Sequence, residues 1–321
     1  MNEERLNRAP IGLVYPPAGE TDGNAVSARR WERVLRELGH DCTSAVEWNG
    51  EECSVLIALH ARKSHASIQR FHEAHPNAPL VVAASGTDIY GEHAESPEAR
   101  ASFQLACRII VLQPEAIRAL PEGLQARARV IFQSVETVAP GVPDPECFEA
   151  CVLSNFRAIK DPLRTAAAVR LLKPESRIQV THLGRILEHE LEPTVLQESA
   201  DNPRFHWRGA VPRAEALGVL ARSRVFVSSS LHEGGSNAVG EAIAHGIPVL
   251  ATRIPGSVGL LGTDYPGYFG PGDTEGLGHL LERTETEPGF LGELGQAVSE
   301  RAPLFQPERE RSCWRELLLG L

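Results

Sequence analysis

Short apolar runs rich in β-branched residues alternate with longer amphipathic segments along most of the chain. "IGLVYP" at residues 11–16 precedes a helical pattern at 24–38, and "SVLIALHA" at 54–61 precedes another at 64–75. Strands that are apolar on both faces and alternate with helices are typical of a parallel sheet covered on both sides. The pattern therefore predicts doubly wound α/β structure.

The predicted strands fall into two groups. The first group contains the runs at 11–16 and 54–61 and continues with 80–86, 108–113 and 129–134. The second group lies at 151–156, 178–184, 204–209, 224–230 and 247–253. The segment between them, residues 135–149, is rich in proline and acid and lacks periodicity, which predicts a linker. We expect a domain over residues 1–145, a second over 146–305, and a C-terminal helix, 306–321, that packs back on the domain junction.

Composition narrows the function. Apolar residues make up 42% and charged residues 23% of the 321 residues, and the formal net charge is −10. An acidic chain is a poor partner for nucleic acid. Because no run is apolar enough for a signal peptide or a membrane helix, we expect a cytoplasmic protein without a membrane partner. Six cysteines without CxxC spacing predict buried thiols rather than disulfides or zinc ligands.

Ligands of open α/β sheets bind beyond the carboxyl ends of the strands, so the loops there carry the candidate residues. "SSSLHEGGSNAVGEAIAHGIPVLATRIPG", residues 228–256, predicts a strand, a loop, a helix ended by Gly246 and another strand. Gly234 and Gly235 allow a ligand to approach the backbone. The amides of Ser236, Asn237 and Ala238 begin the helix, where the positive end of its dipole favours a phosphate, so the turn predicts a diphosphate cradle.

Two glutamates flank this turn. A carboxylate beside a diphosphate is repelled by it, so Glu233 and Glu241 are better suited to accept hydrogen bonds from the hydroxyls of a nucleotide sugar. Glu241 then faces ribose and Glu233 the sugar. The alternative is that Glu241 is a solvated helix residue and Glu233 only a partner of the helix dipole.

The same stretch resembles the E-x7-E region of GT-B glycosyltransferases of family 4, because both glutamates, the glycines and "GIPVLAT" coincide in order and spacing. The resemblance implies the GT-B fold, two doubly wound Rossmann-like domains facing a central cleft. It also implies a nucleoside-diphosphate sugar donor, with Glu241 on ribose and Glu233 with the backbone of residues 234–237 near sugar and diphosphate.

A departing nucleoside diphosphate needs a metal or cations to meet its growing charge. No DxD sequence occurs, so we expect no metal and no cofactor besides the donor. In "CVLSNFRAIKDPLRTAAA", Arg157 and Lys160 match the family's diphosphate clamp, but Asp161 stands where the family has glycine. The alternative is a solvated loop with Asp161 as N-cap and Pro162 at the first helical position.

The strand ends of the first domain carry polar residues that are unusual for a neutral acceptor. Two cations and two helix starts predict a small anionic site, although a solvated Lys63 and a turn-forming Asp88 are common alternatives. Ser64 is a candidate helix cap. The candidate acceptor residues are Gly23, Asn24, His60, Arg62, Lys63, Gly86, Thr87 and Asp88.

Motifs from both domains narrow the resemblance. "ALHARKSHASI", "VVAASGTDIYG", "FRAIKDPLRTAAAVRLL" and "RIPGSVGLLGTDYPGYF" are similar to those of the selenosugar synthases of selenoneine biosynthesis. This implies that selenophosphate attacks the anomeric carbon of UDP-N-acetylglucosamine, that UDP leaves and that phosphate is lost. It also implies a functional link to a selenophosphate synthetase.

A selenium anion needs no strong general base, so His60 and Asp88 become candidates for positioning the acceptor. His182 and His232, at strand ends, are either donor contacts or structural residues. Two other functions remain open: a sugar transferase that forms an O-glycoside on a hydroxyl, and a nucleotide-sugar-binding module without catalysis. A nicotinamide dehydrogenase is disfavoured because no GxGxxG follows a strand.

Overall fold

A computed structural model of the protein describes residues 10–17, 23–90 and 96–321. The chain divides into two compact units. Unit 1 comprises Met1–Ser134, Glu233–Gly235 and Pro307–Leu321, and unit 2 comprises Val135–His232 and Ser236–Gln306. Each unit is built on its own sheet, so the two predicted α/β repeats correspond to two separate cores.

The sheet of unit 1 is parallel throughout its described strands. Its order is β2-β1-β3-β4-β5-β6, with β1 at Ile11–Val14, β2 at Cys42–Ala45, β3 at Val55–Leu59, β4 at Leu80–Ala84, β5 at Arg108–Val111 and β6 at Ala128–Val130. The connecting helices are α1 at Gly23–Glu37, α2 at His65–Ala74, α3 at Pro97–Leu105, α4 at Glu115–Ala119 and α5 at Glu122–Gln125.

Alternate residues of β3 show how both faces of this sheet are buried. Leu56 packs with α2 and α3 on one face, whereas Ile57 packs with α1 on the other. Successive side chains of a strand point to opposite faces, so a strand with every residue buried needs helices on both sides.

The last helix of the described chain, α13 at Pro307–Leu319, completes unit 1. Trp314 lies edge-on to Trp31 of α1, with ring centroids 5.0 Å apart. Glu310 is buried, forms an ion pair with Arg30 at 3.8 Å, and accepts a hydrogen bond from the Ser134 amide at 2.9 Å. The helix therefore covers the sheet through apolar packing and one buried polar cluster.

Unit 2 has the order β12-β11-β10-β7-β8-β9, again with parallel pairing. The strands are β7 at Phe148–Leu153, β8 at Ile178–Leu183, β9 at Phe205–Trp207, β10 at Val225–Ser228, β11 at Val249–Thr252 and β12 at Tyr268–Phe269. The helices are α6 at Arg164–Val169, α7 at Glu192–Asp201, α8 at Arg213–Arg222, α9 at Asn237–Ala244, α10 at Pro255–Leu261, α11 at Thr274–Thr286 and α12 at Pro288–Arg301. Short 3-10 segments lie at Ala158–Lys160, His189–Leu191 and Ala302–Phe305.

The structure differs from the sequence expectation at three strands. β2 and β12 were not predicted, because "CTSA" and "YF" carry no apolar run. β7 begins at Phe148, inside the predicted linker. The strand can include the acidic residue Glu149 because its side chain is only partly buried and is paired. It accepts hydrogen bonds from Thr181 Oγ1 at 2.7 Å and from Arg222 Nε at 3.1 Å.

Two smaller findings bear on the environment of the chain. None of the helices in the described part of the chain is both long and apolar enough to cross a membrane. All six cysteines are free thiols, and Cys42 and Cys151 are fully buried. Burial raises the pKa of Cys42 to about 12, which keeps that thiol protonated and unreactive.

Candidate functional site

The strand order of unit 2 reverses between β7 and β10, the point where open α/β sheets bind ligands. Two backbone-linked loops follow these strands. The Leu231 amide donates to the Ile159 carbonyl at 2.9 Å. The Ser229 hydroxyl lies 2.8 Å from the Asp161 carbonyl and 3.2 Å from that of Lys160. The loop that carries Lys160 is thus held against the end of β10.

Asp161 ends the 3-10 turn of Ala158–Lys160 in the left-handed conformation, with φ 44° and ψ 53°. Glycine adopts this conformation without cost, and aspartate is one of the few other residues that tolerate it. The departure from the family's glycine therefore preserves the backbone shape of that position. The alternative with Asp161 as N-cap is wrong, because α6 begins only at Arg164, with Leu163 as its N-cap.

Arg157 lies on the same loop and pairs with Glu188 from the loop after β8. Its Nε is 3.7 Å from Glu188 Oε1, and both side chains are about two-fifths exposed. The Ala158 amide also donates to Glu188, at 2.7 Å. Exposed ion pairs contribute little free energy, so Arg157 can exchange this carboxylate for another anion at small cost.

Helix α9 has well-defined ends. The Ser236 side chain caps it by accepting from the Val239 amide at 3.4 Å, and Asn237 and Ala238 form its first turn. Gly246 ends it at φ 69°, where its amide donates to Ile243 and the next amide to Ala242. This confirms Gly246 as the predicted C′ residue, in a Schellman motif.

Glu241 is buried in the middle of α9, with 6% of its surface exposed. Its Oε1 lies 2.6 Å from Nη1 of Arg213, the first residue of α8. Glu241 is therefore not a solvated helix residue, and the corresponding alternative is wrong. Arg213 was not identified from the sequence, where nothing links the start of one helix to the middle of the next.

The two histidines at strand ends of unit 2 have different environments. His182 is fully buried, stacks on Phe156 with ring centroids 4.2 Å apart, and donates from Nε2 to the Ser154 carbonyl at 2.8 Å. Burial lowers the pKa of His182 to about 4. His182 is thus a core residue, whereas His232 is exposed on the loop after β10.

In unit 1 the strand order reverses between β1 and β3. Gly23 and Asn24 begin the described part of α1. They follow β1, the strand next to β3 at the switch point. The other acceptor candidates follow β3 and β4, so the sequence-predicted set occupies three neighbouring strand ends.

Asp88 joins the loops after β3 and β4. It is fully buried, and its carboxylate accepts from three backbone amides: Ser85 and Gly86, both at 2.9 Å, and Ala61 at 2.8 Å. A carboxylate that accepts several amide hydrogen bonds is engaged in fixing the backbone. Asp88 therefore fixes the backbone conformation of the loops after β3 and β4.

His60 contacts Asp88 and Thr87 from the end of β3. It is 1% exposed and has φ 68°, with Nε2 3.0 Å from Thr87 Oγ1 and Nδ1 3.6 Å from Asp88 Oδ2. Burial lowers the pKa of His60, assisted by Lys63 and Arg62 and opposed by Asp88. The Lys63 amide donates to Nδ1 at 3.5 Å, so the neutral ring carries its proton on Nε2 and donates it to Thr87.

Two cations, Arg62 and Lys63, follow β3. Among the described residues, no carboxylate forms an ion pair with Arg62 or Lys63. Arg62 Nε is buried without a hydrogen-bond partner, and Lys63 is exposed. Ser64 occupies the N-cap position of α2, but its hydroxyl donates to the Leu59 carbonyl at 2.6 Å and caps no helix amide.

Three residues of the glutamate loop, Glu233–Gly235, are grouped with unit 1. Within that unit the backbones of Gly86 and Gly234 approach closely: a Cβ added to Gly86 would lie 2.7 Å from the Gly234 nitrogen. Gly86 also has φ 131°, which L side chains rarely adopt. Both glycines are therefore required by this close contact.

The residues that carried the narrower resemblance also have structural roles. Tyr265 donates to the Val249 carbonyl at 2.7 Å, and Tyr268 donates to the Gly262 carbonyl at 2.8 Å. The motif "RIPGSVGLLGTDYPGYF" thus fixes β11, α10 and β12 together. In the described part of the chain no three His, Cys, Asp or Glu side chains are grouped so as to hold a metal.

Solved structures share this architecture. HepE of Anabaena, determined in complex with UDP-glucose, superposes with a TM-score of 0.79 at 15% identity, covering 98% of this chain and 100% of that one. Sucrose-phosphate synthase from Thermosynechococcus elongatus gives 0.77 at 16%, with the same coverage. At such low identity these structures show the fold, which is that of the GT-B class.

Sequence comparison finds similarity to one family over part of the chain. Residues 150–284 match the family model described as glycosyl transferases group 1. A curated relative, glycosyltransferase 1 domain-containing protein 1 from Xenopus tropicalis, is 26% identical over 176 residues. That match covers 53% of this chain and 50% of the relative, so it spans about half of the relative's length. The matched region, which lies within the span of unit 2, is similar to the group 1 glycosyltransferases.

Proposed function

We propose that the protein is a selenosugar synthase, which transfers N-acetylglucosamine from UDP-N-acetylglucosamine to selenophosphate and releases UDP. One observation carries the proposal: the strand ends of unit 1 present two cations, Arg62 and Lys63, that form no ion pair with a carboxylate of the described residues. Such a pair suits a small anionic acceptor, since an uncompensated cation is best satisfied by an oxyanion. The resemblance of the motifs supplies the identity of that anion.

The donor half of the proposal rests on unit 2. The matched region is that of group 1 glycosyltransferases, and HepE of Anabaena was determined with UDP-glucose. In this chain Glu241 receives the ribose hydroxyls beside Arg213, and Lys160 and Arg157 meet the charge of the diphosphate. The α9 amides at Asn237 and Ala238 add the positive end of a helix dipole. Glu233 and the glycines after it face the transferred sugar.

The acceptor half also rests on the two candidate bases of unit 1. His60 uses its Nε2 proton toward Thr87, and its other ring nitrogen faces the Lys63 amide and Asp88. Asp88 already accepts three amide hydrogen bonds. Neither group is placed to remove a proton from a sugar hydroxyl, whereas selenophosphate arrives as an anion and needs no such step.

The reaction balances without an oxidant or reductant. The selenium lone pair forms the bond to the anomeric carbon, and the bond from that carbon to the UDP oxygen breaks with its electron pair. Lys160 and Arg157 stabilise the diphosphate that leaves. Water then cleaves the phosphorus–selenium bond, which gives phosphate and the 1-selenosugar. An enzyme that forms selenophosphate must supply the acceptor, as expected of a selenophosphate synthetase.

The test is anaerobic incubation of the protein with UDP-N-acetylglucosamine and selenophosphate, followed by mass spectrometry and quantification of UDP. We expect selenosugar and UDP in equal amounts. Transfer to a hydroxyl compound instead of selenophosphate would establish an O-glycoside-forming enzyme. UDP-sugar binding without turnover on any acceptor would leave a binding module.

A pair of lysine variants locates the acceptor. Lys63→Ala should raise the KM for selenophosphate by about tenfold, since one charge-assisted contact is lost, while the affinity for UDP stays the same. Lys173→Ala is the matched control, because Lys173 is exposed and paired with Glu282 in unit 2. Loss of UDP binding in Lys63→Ala would mean that the roles of the two units are reversed.

A further inference from the structure

Asp161 is the one residue of the candidate donor site held in a left-handed conformation. Its φ of 44° and ψ of 53° set the direction of the backbone immediately after Lys160. Aspartate reaches this region but prefers others, so some interaction must hold it there. Since the backbone at Asp161 sets where Lys160 lies, that interaction also sets the position of the cation.

Arg164 supplies the interaction. Its Nε lies 2.7 Å from Asp161 Oδ2 and its Nη2 lies 3.3 Å from Oδ1, which is a two-pronged contact with the carboxylate. The third nitrogen, Nη1, donates to Thr274 Oγ1 at 2.6 Å at the start of α11. Both partners of the ion pair are mostly buried, with 26% and 18% of their side chains exposed. The guanidinium is thus fixed on two sides.

The backbone of the same turn is held from the opposite side. The Ser229 hydroxyl, at the end of β10, lies within hydrogen-bond distance of the carbonyls of both Lys160 and Asp161. Arg164 and Ser229 therefore act on one peptide segment from two elements. A segment restrained in this way holds one conformation before a ligand arrives, which lowers the cost of binding.

We propose that Arg164 is a positioning residue of the donor site, which holds Asp161 in its left-handed conformation so that Lys160 faces the diphosphate. The proposal rests on the donor half of the proposed function and is independent of the acceptor. Arg164 itself does not touch the donor. Arg164 raises the fraction of molecules in which Asp161 has the left-handed conformation, and the apparent affinity for UDP is proportional to that fraction.

The test compares Arg164→Met in two backgrounds, the natural chain and Asp161→Gly. With Asp161 present, loss of Arg164 releases the turn, and UDP should bind about tenfold more weakly in calorimetry. Glycine takes the left-handed conformation by itself, so in the Asp161→Gly background the same change should alter UDP affinity by no more than about twofold. The long-range effect of the lost charge is common to both backgrounds and cancels in the comparison.

A matched control is available in the same unit. Arg170 makes the same kind of two-pronged contact with Glu198, at 2.8 and 3.0 Å, but no left-handed residue is involved. Arg170→Met should leave UDP affinity unchanged in both backgrounds. Melting temperatures of all variants separate loss of folding from loss of positioning.

Two outcomes overturn the inference. One is an equal loss of affinity for Arg164→Met in both backgrounds, which would mean that Arg164 acts through α11 or by its charge. The other is unchanged affinity in the natural background. Lys160→Ala distinguishes these from failure of the proposed function: if this variant binds UDP as well as the natural chain does, the assignment of the diphosphate clamp is wrong.

Discussion

The contact of Thr87 with His60 determines whether the Thr87 hydroxyl donates or accepts a hydrogen bond toward a ligand. Because His60 donates its Nε2 proton to Thr87 Oγ1 at 3.0 Å, the hydroxyl oxygen accepts that hydrogen bond and its own proton remains to be donated. Lowering of the His60 pKa by burial keeps the ring in this neutral state near pH 7. Thr87 thus offers a hydrogen bond to an oxygen that carries lone pairs and no proton.

Thr87→Val tests this direction, because valine keeps the shape and removes the donor. We expect the KM for the anionic acceptor to rise by about tenfold, while the affinity for UDP is retained. Thr87→Ser restores the hydroxyl and should recover most of the effect. An acceptor KM that is equal in the natural chain and in Thr87→Val would show that the hydroxyl contacts no substrate.

Residue identity alone did not reveal how the charged groups are paired. Asp161 looks like an ordinary helix cap in the sequence, and its left-handed backbone depends on Arg164 and Ser229, two contacts that no local pattern encodes. Arg213 was missed for the same reason, since its contact with Glu241 joins residues from two helices. The candidate residues themselves could be identified because glycines, acids and cations after strands follow from chain chemistry.

The C-terminal end of helix α9 requires a residue in the left-handed conformation. Its C′ residue, Gly246, has φ 69° and open space around a Cβ, so only backbone strain opposes a side chain there. Gly218 lies inside α8 with equally open space but has no positive φ. The two glycines therefore separate the effect of conformation from the effect of packing.

Alanine substitutions at these glycines should have opposite signs. Gly246→Ala should lower the free energy of unfolding by about 1 kcal/mol, because alanine resists the left-handed conformation. Gly218→Ala should raise it by about 0.5 to 1 kcal/mol, because alanine is the better helix former. Urea unfolding of both variants measures the difference, and a shift of equal sign in both would contradict the strain argument.

At the scale of elements, the buried strands were the easiest to predict. β3 and β4 are apolar at every position, which only a sheet covered on both faces requires. The strands that escaped prediction, β2 and β12, lie at sheet edges. Exposed positions interrupt the apolar pattern of β2, and β12 has only two residues. The start of β7 was obscured because Glu149 is paired by Thr181 and Arg222, residues distant in the chain.

The stability of the whole molecule should depend on pH through His182. The pKa of this fully buried ring is about 4, against an ordinary value of 6.5. As the pH falls through 6.5, the unfolded chain takes up a proton that the folded chain refuses until about pH 4. The free energy of unfolding therefore decreases as the pH is lowered from 6.5 to about 4, by about 3 kcal/mol in total.

His182→Gln removes this titration while keeping a donor for the Ser154 carbonyl. Between pH 7 and pH 5 the natural chain should lose about 2 kcal/mol more unfolding free energy than the variant does. Denaturant unfolding at both pH values measures the loss. Equal losses of unfolding free energy in the natural chain and in the variant would show that groups other than His182 cause the acid sensitivity.

The helix that covers unit 1 has a consequence for synthesis. A ribosome makes the strands of unit 1 first and the whole of unit 2 next, and only afterwards α13 with Trp314 and Glu310. Until then the apolar surface around Trp31 lacks the Trp314 ring, and Arg30 lacks its ion pair with Glu310. Unit 2 can therefore complete its core before unit 1 does, although most of unit 1 precedes unit 2 in the chain.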